Sequence, residues 1–143
     1  MKFAVGVLLL YMATGAGTQS VPLTISESTQ AATTNSESGS IIMYRGTSVM
    51  GAAIACPIRY KGREIVELGR GKYAQWAVPA GRYILVNGTA SIEVHVMPGE
   101  TRYVRCQIKT GFLTGRADLQ IVDEETFAAH RTGYEEKRVS SPF

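Results

Sequence analysis

The chain contains few of the residues on which most catalytic and metal sites depend. Its 143 residues include two histidines, two cysteines and one tryptophan. The sequence has no HExxH zinc-binding pattern, no GxxxxGK phosphate-binding loop and no GxSxG nucleophile turn. The metalloproteases, nucleotide-binding enzymes and serine hydrolases that these patterns define are therefore excluded.

The residues that remain for general catalysis are scattered along the chain. His95 is predicted on the outward face of a strand and His130 near the end of a short helix, so both are expected at the solvated surface. A catalytic triad needs a hydroxyl and a carboxylate on either side of a histidine, and a glycosidase needs two carboxyls across a cleft. The acidic residues of the predicted strands occur singly, at Glu64, Glu67, Glu93 and Asp118. We therefore predict a non-catalytic protein with no metal site and no cofactor.

The N-terminal apolar run is too short to span a membrane. It covers residues 3–13, which is 11 positions, whereas a membrane-spanning helix needs ~20. Lys2 precedes the run and small residues follow it, a pattern typical of an export signal. We predict a cleaved signal peptide over residues 1–17 and a periplasmic or secreted mature protein. The alternative is an uncleaved N-terminal anchor, the one arrangement in which membrane association is expected.

Residues 18–40 have the composition of a flexible leader. They include 11 Ser or Thr residues in 23 positions and no aromatic side chain. Such a segment buries too little apolar surface to offset the entropy lost on ordering. Within it, residues 21–26 alternate aliphatic side chains with Pro and Thr, so the alternative is an edge strand added to the protein's own sheet or to a partner's.

From Ile41 onward, short runs of β-branched and aromatic residues alternate with Gly-rich and Pro-rich turns. Eight strands are predicted, over residues 41–45, 53–61, 63–68, 73–78, 82–87, 91–97, 103–109 and 117–122. Seven or eight strands at this spacing indicate an all-β, antiparallel, immunoglobulin-like β-sandwich. Asp123 is expected to cap a short C-terminal helix that ends near Arg131, with Phe127 as its packing anchor. The sandwich is thus predicted over residues 41–131 and a loose tail over residues 132–143.

Strand alternation places both cysteines on inward faces. Cys56 is in phase with Ile58, and Cys106 is in phase with Val104. Because an exported protein folds in an oxidising compartment, we predict a Cys56–Cys106 disulfide, which the chain-entropy model values at roughly 4 kcal/mol. The alternative is a pair of buried free thiols, and the absence of a CxxC spacing argues against a redox-active pair.

The net charge is small, +3 at pH 7, but it is unevenly distributed. Residues 41–120 carry 11 basic and 5 acidic side chains, so the domain body is mildly basic. Five of the basic residues concentrate around one predicted hairpin and the turn after it, at Arg59, Lys61, Arg63, Arg70 and Lys72. With aromatic residues close in sequence, they are a candidate surface for anionic lipid headgroups, a cell-wall polymer or an acidic protein. The alternative is that they only protect a sheet edge from pairing with other chains.

A second candidate contact lies in a glycine-bounded loop. Phe112 and Leu113 are presented between Gly111 and Gly115. Either the two apolar side chains plug the open end of the sandwich, or they form an exposed contact for another protein.

Several segments together carry a resemblance to a known family. They are Ile-Met-Tyr-Arg at residues 42–45, Val-Pro-Ala-Gly-Arg-Tyr at 78–83, Pro-Gly-Glu-Thr-Arg-Tyr-Val at 98–104 and Gly-Phe-Leu-Thr-Gly-Arg-Ala-Asp-Leu-Gln-Ile-Val at 111–122. The chain resembles, over about residues 41–128, a bacterial family of exported small β-sandwich domains of unknown function. The resemblance implies a prealbumin-like or carboxypeptidase-regulatory-like architecture and an envelope location. Members are commonly lipoproteins, whereas this chain has no lipidation cysteine after its apolar run.

These observations predict a non-catalytic, exported interaction module, an accessory or small subunit of a bacterial cell-envelope assembly. Its expected partner is another envelope protein. Nucleic acid is not expected, because only five positive charges cluster and export removes the usual targets. The alternative is a periplasmic carbohydrate-binding or small-ligand-binding domain, which an enclosed pocket lined by Tyr60, Tyr73 or Trp76 would favour.

Overall fold

The computed structural model describes residues 37–88, 90–110 and 115–140, which form two packed β-sheets. The strands are β1 (Ser38–Arg45), β2 (Cys56–Tyr60), β3 (Arg63–Leu68), β4 (Lys72–Pro79), β5 (Gly81–Asn87), β6 (Ala90–Val96), β7 (Thr101–Thr110), β8 (Gly115–Val122) and β9 (Glu135–Glu136). The helical elements are α1 (Glu124–Ala128) and a 3-10 turn (Arg131–Gly133). The all-β sandwich prediction is confirmed.

The two sheets differ in how their strands run. Sheet B has four strands in the order β3-β2-β5-β6, all antiparallel. Sheet A has five strands in the order β8-β7-β1-β4-β9, and in it β1 runs parallel to β7 and β9 runs parallel to β4. The prediction of a wholly antiparallel sandwich is therefore wrong for sheet A. Parallel neighbours need a long crossover connection, and the five strands between β1 and β7 supply it.

The inward faces follow the alternation expected of half-buried strands. In β6, Val94 and Val96 are buried between the exposed Glu93 and His95. Trp76 of β4 is 3% exposed and lies in the core. Large aromatic side chains thus fill the space between the sheets.

The predicted disulfide joins the two sheets. Cys56 of β2 and Cys106 of β7 are bonded to each other and are fully buried. Asn87 is buried, and its Nδ2 donates a hydrogen bond to Cys56 Sγ at 2.9 Å. The crosslink closes a separation of 50 residues, for which the chain-entropy model gives roughly 4 kcal/mol.

A second, smaller aromatic cluster covers the outer face of sheet A. Tyr44, Tyr73 and Tyr103 alternate with inward residues and so point outward, where the ring of Phe127 lies 5.1, 5.8 and 5.5 Å from them. Asp123 caps α1 by accepting a hydrogen bond from the Thr126 backbone N–H at 2.8 Å. The expected cap and anchor of this helix are confirmed, although α1 itself is only five residues long. No helix in the described ranges is long and apolar enough to cross a membrane.

The C-terminal tail is paired with the sandwich, so the expectation of a loose tail is wrong as far as Ser140. The backbone N–H groups of Glu135 and Lys137 donate to the Gly71 and Tyr73 carbonyls at 2.9 and 2.7 Å. Ser140 N donates to the Ile65 carbonyl at 2.8 Å. The physical reason is that β4 and the edge strand β3 both offer unpaired backbone groups next to this segment, and pairing satisfies backbone groups on both sides.

At the other end, β1 begins at Ser38, so three residues of the expected leader belong to the sandwich. The predicted signal peptide at residues 1–17, and the leader up to residue 36, lie outside the described residues.

Candidate functional site

The five basic residues predicted to form one patch are divided between two ends of the β2–β3 hairpin. Lys61 occupies the turn of the hairpin with φ 50°, and Gly62 follows with φ 79°. Positive φ at both central residues gives the tight two-residue turn that suits the twist of the strands. Arg59 and Arg63 flank this turn. Arg70 and Lys72 follow β3 and lie at the opposite end of the hairpin. At that end, Cys56 pairs with Leu68.

The turn end of the hairpin borders an exposed apolar strip on sheet B. Ile84 of β5 is 56% exposed, because its neighbours Tyr83 and Leu85 take the inward positions. It lies in a shallow depression of ≈ 360 Å³. We call this the Ile84 surface, which is formed by Tyr60, Lys61, Gly62, Arg82, Ile84 and Val86.

Cations border the Ile84 surface on two sides. Lys61 Nζ lies 5.2 Å from the centre of the Tyr60 ring. Arg82 Nη1 lies 3.7 Å from Glu93 Oε1, and both side chains are more than half exposed. Such a solvated pair contributes ~0–1 kcal/mol, so Arg82 is held only weakly in its position. The arrangement is apolar at its centre and positively charged at its borders.

The three aromatic residues expected to line a ligand pocket do not come together. Tyr60 and Trp76 are 8% and 3% exposed, with ring centres 5.2 Å apart inside the core. Tyr73 points to the outer face of sheet A, where it packs on Phe127. Two of the three therefore stabilise the sandwich instead of facing a ligand.

Arg45 closes one end of the sandwich from within. It is 3% exposed, and its guanidinium donates to the Ile54 carbonyl, to the Gly51 carbonyl at 2.5 Å and to the Leu68 carbonyl at 3.5 Å. Burial lowers its pKa, and repulsion from Arg70 lowers the pKa further. Strand alternation alone could have predicted that Arg45 is buried, because Arg45 lies two residues after the inward Met43 and therefore on the same face of β1.

A polar cleft lies beside this end and extends onto the outer side of sheet A. It consists of two cavities of ≈ 170 and ≈ 200 Å³ that share Gly46, Ser48 and Arg105 in their walls. We call it the Arg105 cleft. The larger cavity is also lined by Tyr44, Thr47, Thr126, His130 and Tyr134.

Arg105 and Tyr44 are neighbours across the β1–β7 pair. The Tyr44 hydroxyl is buried and has no hydrogen-bond partner among the described residues. Burial raises the pKa of Tyr44, while the positive charge of Arg105 acts in the opposite direction. Sequence reasoning missed both residues, because neither belongs to a local motif and the strand pairing that joins them is parallel and long-range.

Two further predictions concern metal ligands and the glycine-bounded loop. Within residues 37–88, 90–110 and 115–140, no three His, Cys, Asp or Glu side chains are grouped to hold a metal ion. Phe112 and Leu113 lie outside the described residues, so their role as a plug or a contact stays a prediction.

Comparison with known proteins adds no relative: no family model, no curated protein and no solved structure matches the chain. The resemblance to the exported β-sandwich family therefore stays an expectation based on the sequence segments that carry it.

Proposed function

We propose that this protein is an exported, non-catalytic interaction module that binds another protein of the cell envelope through the Ile84 surface. The observation that carries the proposal is the solvent-exposed Ile84 side chain, in an apolar depression bordered by Lys61 and Arg82. Clustered apolar side chains that remain in water, with polar groups around them, are typical of surfaces that bind other proteins.

The borders of the surface indicate the chemistry of the partner. Arg82 loses little by exchanging its solvated 3.7 Å contact with Glu93 for a carboxylate on a partner. Lys61 makes no ion pair with any residue the structure describes, and Arg59 lies on the same face beside Val86. We therefore expect a partner that places an apolar side chain on Ile84 and acidic side chains opposite the two cations.

The buried crosslink supports an extracytoplasmic location for the module. Disulfides form and persist in oxidising compartments, and Cys56–Cys106 is buried between the sheets. The export pattern of residues 1–17 points to the same compartment. We therefore expect the partner in the same compartment.

The alternative, a carbohydrate-binding or small-ligand-binding domain centred on Tyr60, Tyr73 and Trp76, has less support. The rings of Tyr60 and Trp76 pack against each other in the core and against Tyr83, at centre distances of 5.2 to 5.5 Å. Exposing them to a sugar would break apart the middle of the sandwich.

Site-specific photocrosslinking in the native host tests the docking face. A photoreactive residue at position 84 is expected to give one adduct of defined mass with an envelope protein. The matched control is position 97, where Met97 is 68% exposed but lies at the turn after β6. The adduct at position 84 is expected to disappear in a Lys61→Glu, Arg82→Glu double variant, because both borders then repel an acidic partner.

Two outcomes would contradict the proposal. One is the absence of any adduct at position 84 while the protein is folded and oxidised. The other is the same set of adducts at positions 84 and 97, which would indicate random encounters.

A further inference from the structure

We propose that the Arg105 cleft is a binding site for the carboxylate or phosphate group of a small, ring-sized organic anion. The cleft extends onto the outer side of sheet A, whereas the Ile84 surface lies on sheet B. The Arg105 cleft and the Ile84 surface have no residue in common.

The cleft contains a cation that no acidic group compensates. Arg105 makes no ion pair with any residue the structure describes, and no Asp or Glu is among the described residues that line either cavity. A Cβ added at Gly46 would lie 4.0 Å from Arg105 Nη2, which places the guanidinium beside the loop after β1. A planar guanidinium presents paired donors that match a carboxylate or phosphate.

Two further cations strengthen the positive field. Arg45 lines the smaller cavity and is bonded only to backbone carbonyls, which satisfy its donors but leave its charge uncompensated. Arg70 is close enough to act on Arg45 electrostatically. Asp123 is the acidic group that acts on Tyr44, and its carboxylate accepts from the Thr126 backbone N–H at the start of α1. At Tyr44 the positive charge of Arg105 acts more strongly than the negative charge of Asp123.

The Tyr44 hydroxyl supplies an unused donor in the wall of the cleft. The residue is 1% exposed, and its oxygen has no hydrogen-bond partner among the described residues. Buried hydroxyls in folded proteins are nearly always hydrogen-bonded, so an unpartnered one beside a cation indicates a missing acceptor. An oxyanion held by Arg105 provides that acceptor.

The rim of the cleft adds hydroxyl donors. Ser48 Oγ accepts a hydrogen bond from the Met50 backbone N–H at 3.2 Å, which leaves its own hydrogen to donate elsewhere. Thr47 lines the same cavity, whereas the side chain of Thr126 is hydrogen-bonded to Asp123. A guanidinium surrounded by hydroxyl donors is suited to an acceptor-rich anionic group.

The volume of the cleft limits the size of the ligand. The larger cavity is ≈ 200 Å³ and adjoins one of ≈ 170 Å³. A cavity of about 150 Å³ holds benzene, so one ring with its anionic group fits here. Tyr134 lines the cavity with its ring centre 5.5 Å from that of Tyr44, and it offers an aromatic surface to such a ring.

Titration of the full, oxidised chain, followed by NMR, tests the site with three probes: benzoate, its neutral analogue benzamide, and inorganic phosphate. Benzoate at millimolar concentration is expected to shift the backbone amide signals of Gly46, Ser48 and Arg105, and benzamide is expected to leave them unchanged. Binding of benzoate assigns the site to carboxylates, and binding of phosphate alone assigns it to phosphate groups. Failure of both anions to shift these signals would overturn the proposal.

Three variants separate this site from general charge effects. Arg105→Gln is expected to weaken anion binding about tenfold or more, since hydrogen bonds to charged groups are the strong ones. Arg116→Gln removes the same charge from an exposed position of β8 and is expected to bind as the unaltered chain does. Tyr44→Phe removes one hydroxyl and is expected to weaken binding severalfold while the protein stays folded. Unchanged binding in both Arg105→Gln and Tyr44→Phe would overturn the proposal.

Discussion

Arg45 lies directly beside Cys106 in the parallel pair of β1 and β7, so a buried guanidinium and the inter-sheet disulfide close the same end of the sandwich. The disulfide ties sheet A to sheet B covalently. Arg45 ties the end of β1 to the Gly51, Ile54 and Leu68 carbonyls, which belong to the connection before β2 and to the end of β3. This end is therefore held by a crosslink and by hydrogen bonds that reach both sheets.

Replacing Arg45 with Ala is expected to destabilise the protein by ~2–4 kcal/mol, because buried carbonyls lose their donors and a cavity remains. Urea unfolding of the oxidised protein measures the change. Arg59→Ala is the matched control, and it is expected to change the unfolding free energy by no more than about 0.5 kcal/mol because Arg59 is exposed. Equal effects of the two substitutions would contradict the role assigned to Arg45.

Removing the Cys56–Cys106 disulfide is expected to lower the free energy of unfolding, because the unfolded chain then gains conformational entropy. A Cys56→Ala, Cys106→Ala double variant is expected to lose roughly 4 kcal/mol, the chain-entropy value for a loop of this length. Thermal unfolding with and without a reductant measures the loss. Reduction is expected to lower the melting temperature of the unaltered protein and to leave that of the double variant unchanged. A melting temperature insensitive to reductant in both proteins would contradict the prediction.

The Tyr44 hydroxyl is expected to contribute nothing to folding stability in the absence of a ligand. Tyr44→Phe removes a buried, unpartnered hydroxyl and keeps the ring on Phe127, so stability is expected to stay the same or to rise by about 1 kcal/mol. Tyr44→Ala also removes the ring and is expected to cost ~3–5 kcal/mol. Chemical unfolding of the three proteins in anion-free buffer distinguishes these cases. A loss of stability in Tyr44→Phe would mean that the hydroxyl is bonded.

Asp123 is expected to make the packing of α1 dependent on pH. Hydrogen bonds from Thr126 hold the pKa of the Asp123 carboxyl below its usual value. The stabilisation is therefore fully present above the unfolded pKa of about 3.9 and is lost as the pH falls through the lower, folded pKa. Asp123→Asn keeps a capping side chain that does not titrate.

The melting temperatures of the two proteins at pH 6 and pH 3 measure this contribution. The decrease on acidification is expected to be smaller in Asp123→Asn than in the unaltered protein. Equal decreases would show that the cap does not contribute to acid sensitivity.

Alternation could predict which residues face the core but not which strands are neighbours. The inward positions of Cys56 and Cys106 could be predicted because each strand buries one face, and the side-chain period of two is a local property. The parallel pairing of β1 with β7 is not local, since 55 residues separate Arg45 from Thr101. The hairpin turns, which can be predicted from sequence, do not determine this pairing. The pairing of the tail could not be predicted for the same reason, because it depends on the free edge of β4, which is distant in sequence.

The candidate sites were less predictable than the fold. Clustering in sequence grouped Arg59 with Arg70, but the hairpin carries them to opposite ends. Ile84 has an aliphatic side chain on a strand with apolar residues on both faces, so composition alone did not show which face is solvated. Arg105 and Tyr44 become neighbours only through the parallel pairing, and the sequence held no local signal for it.

Pairing of the tail with β4 is expected to contribute to stability through its backbone. A chain that ends at Tyr134 keeps the Tyr134 ring on Phe127 but loses Val139, which packs on the core. It also loses the bonds donated by Glu135 N and Lys137 N to β4 and by Ser140 N to β3. Because each such bond contributes ~0.5–1.5 kcal/mol, the truncated chain is expected to be less stable by about 2–4 kcal/mol in urea unfolding. A Glu135→Gln, Glu136→Gln double variant keeps the backbone and removes the exposed contacts with Lys72 and Tyr73, so its stability is expected to be nearly unchanged. If the double variant were as unstable as the truncated chain, side-chain charge and not strand pairing would hold the tail.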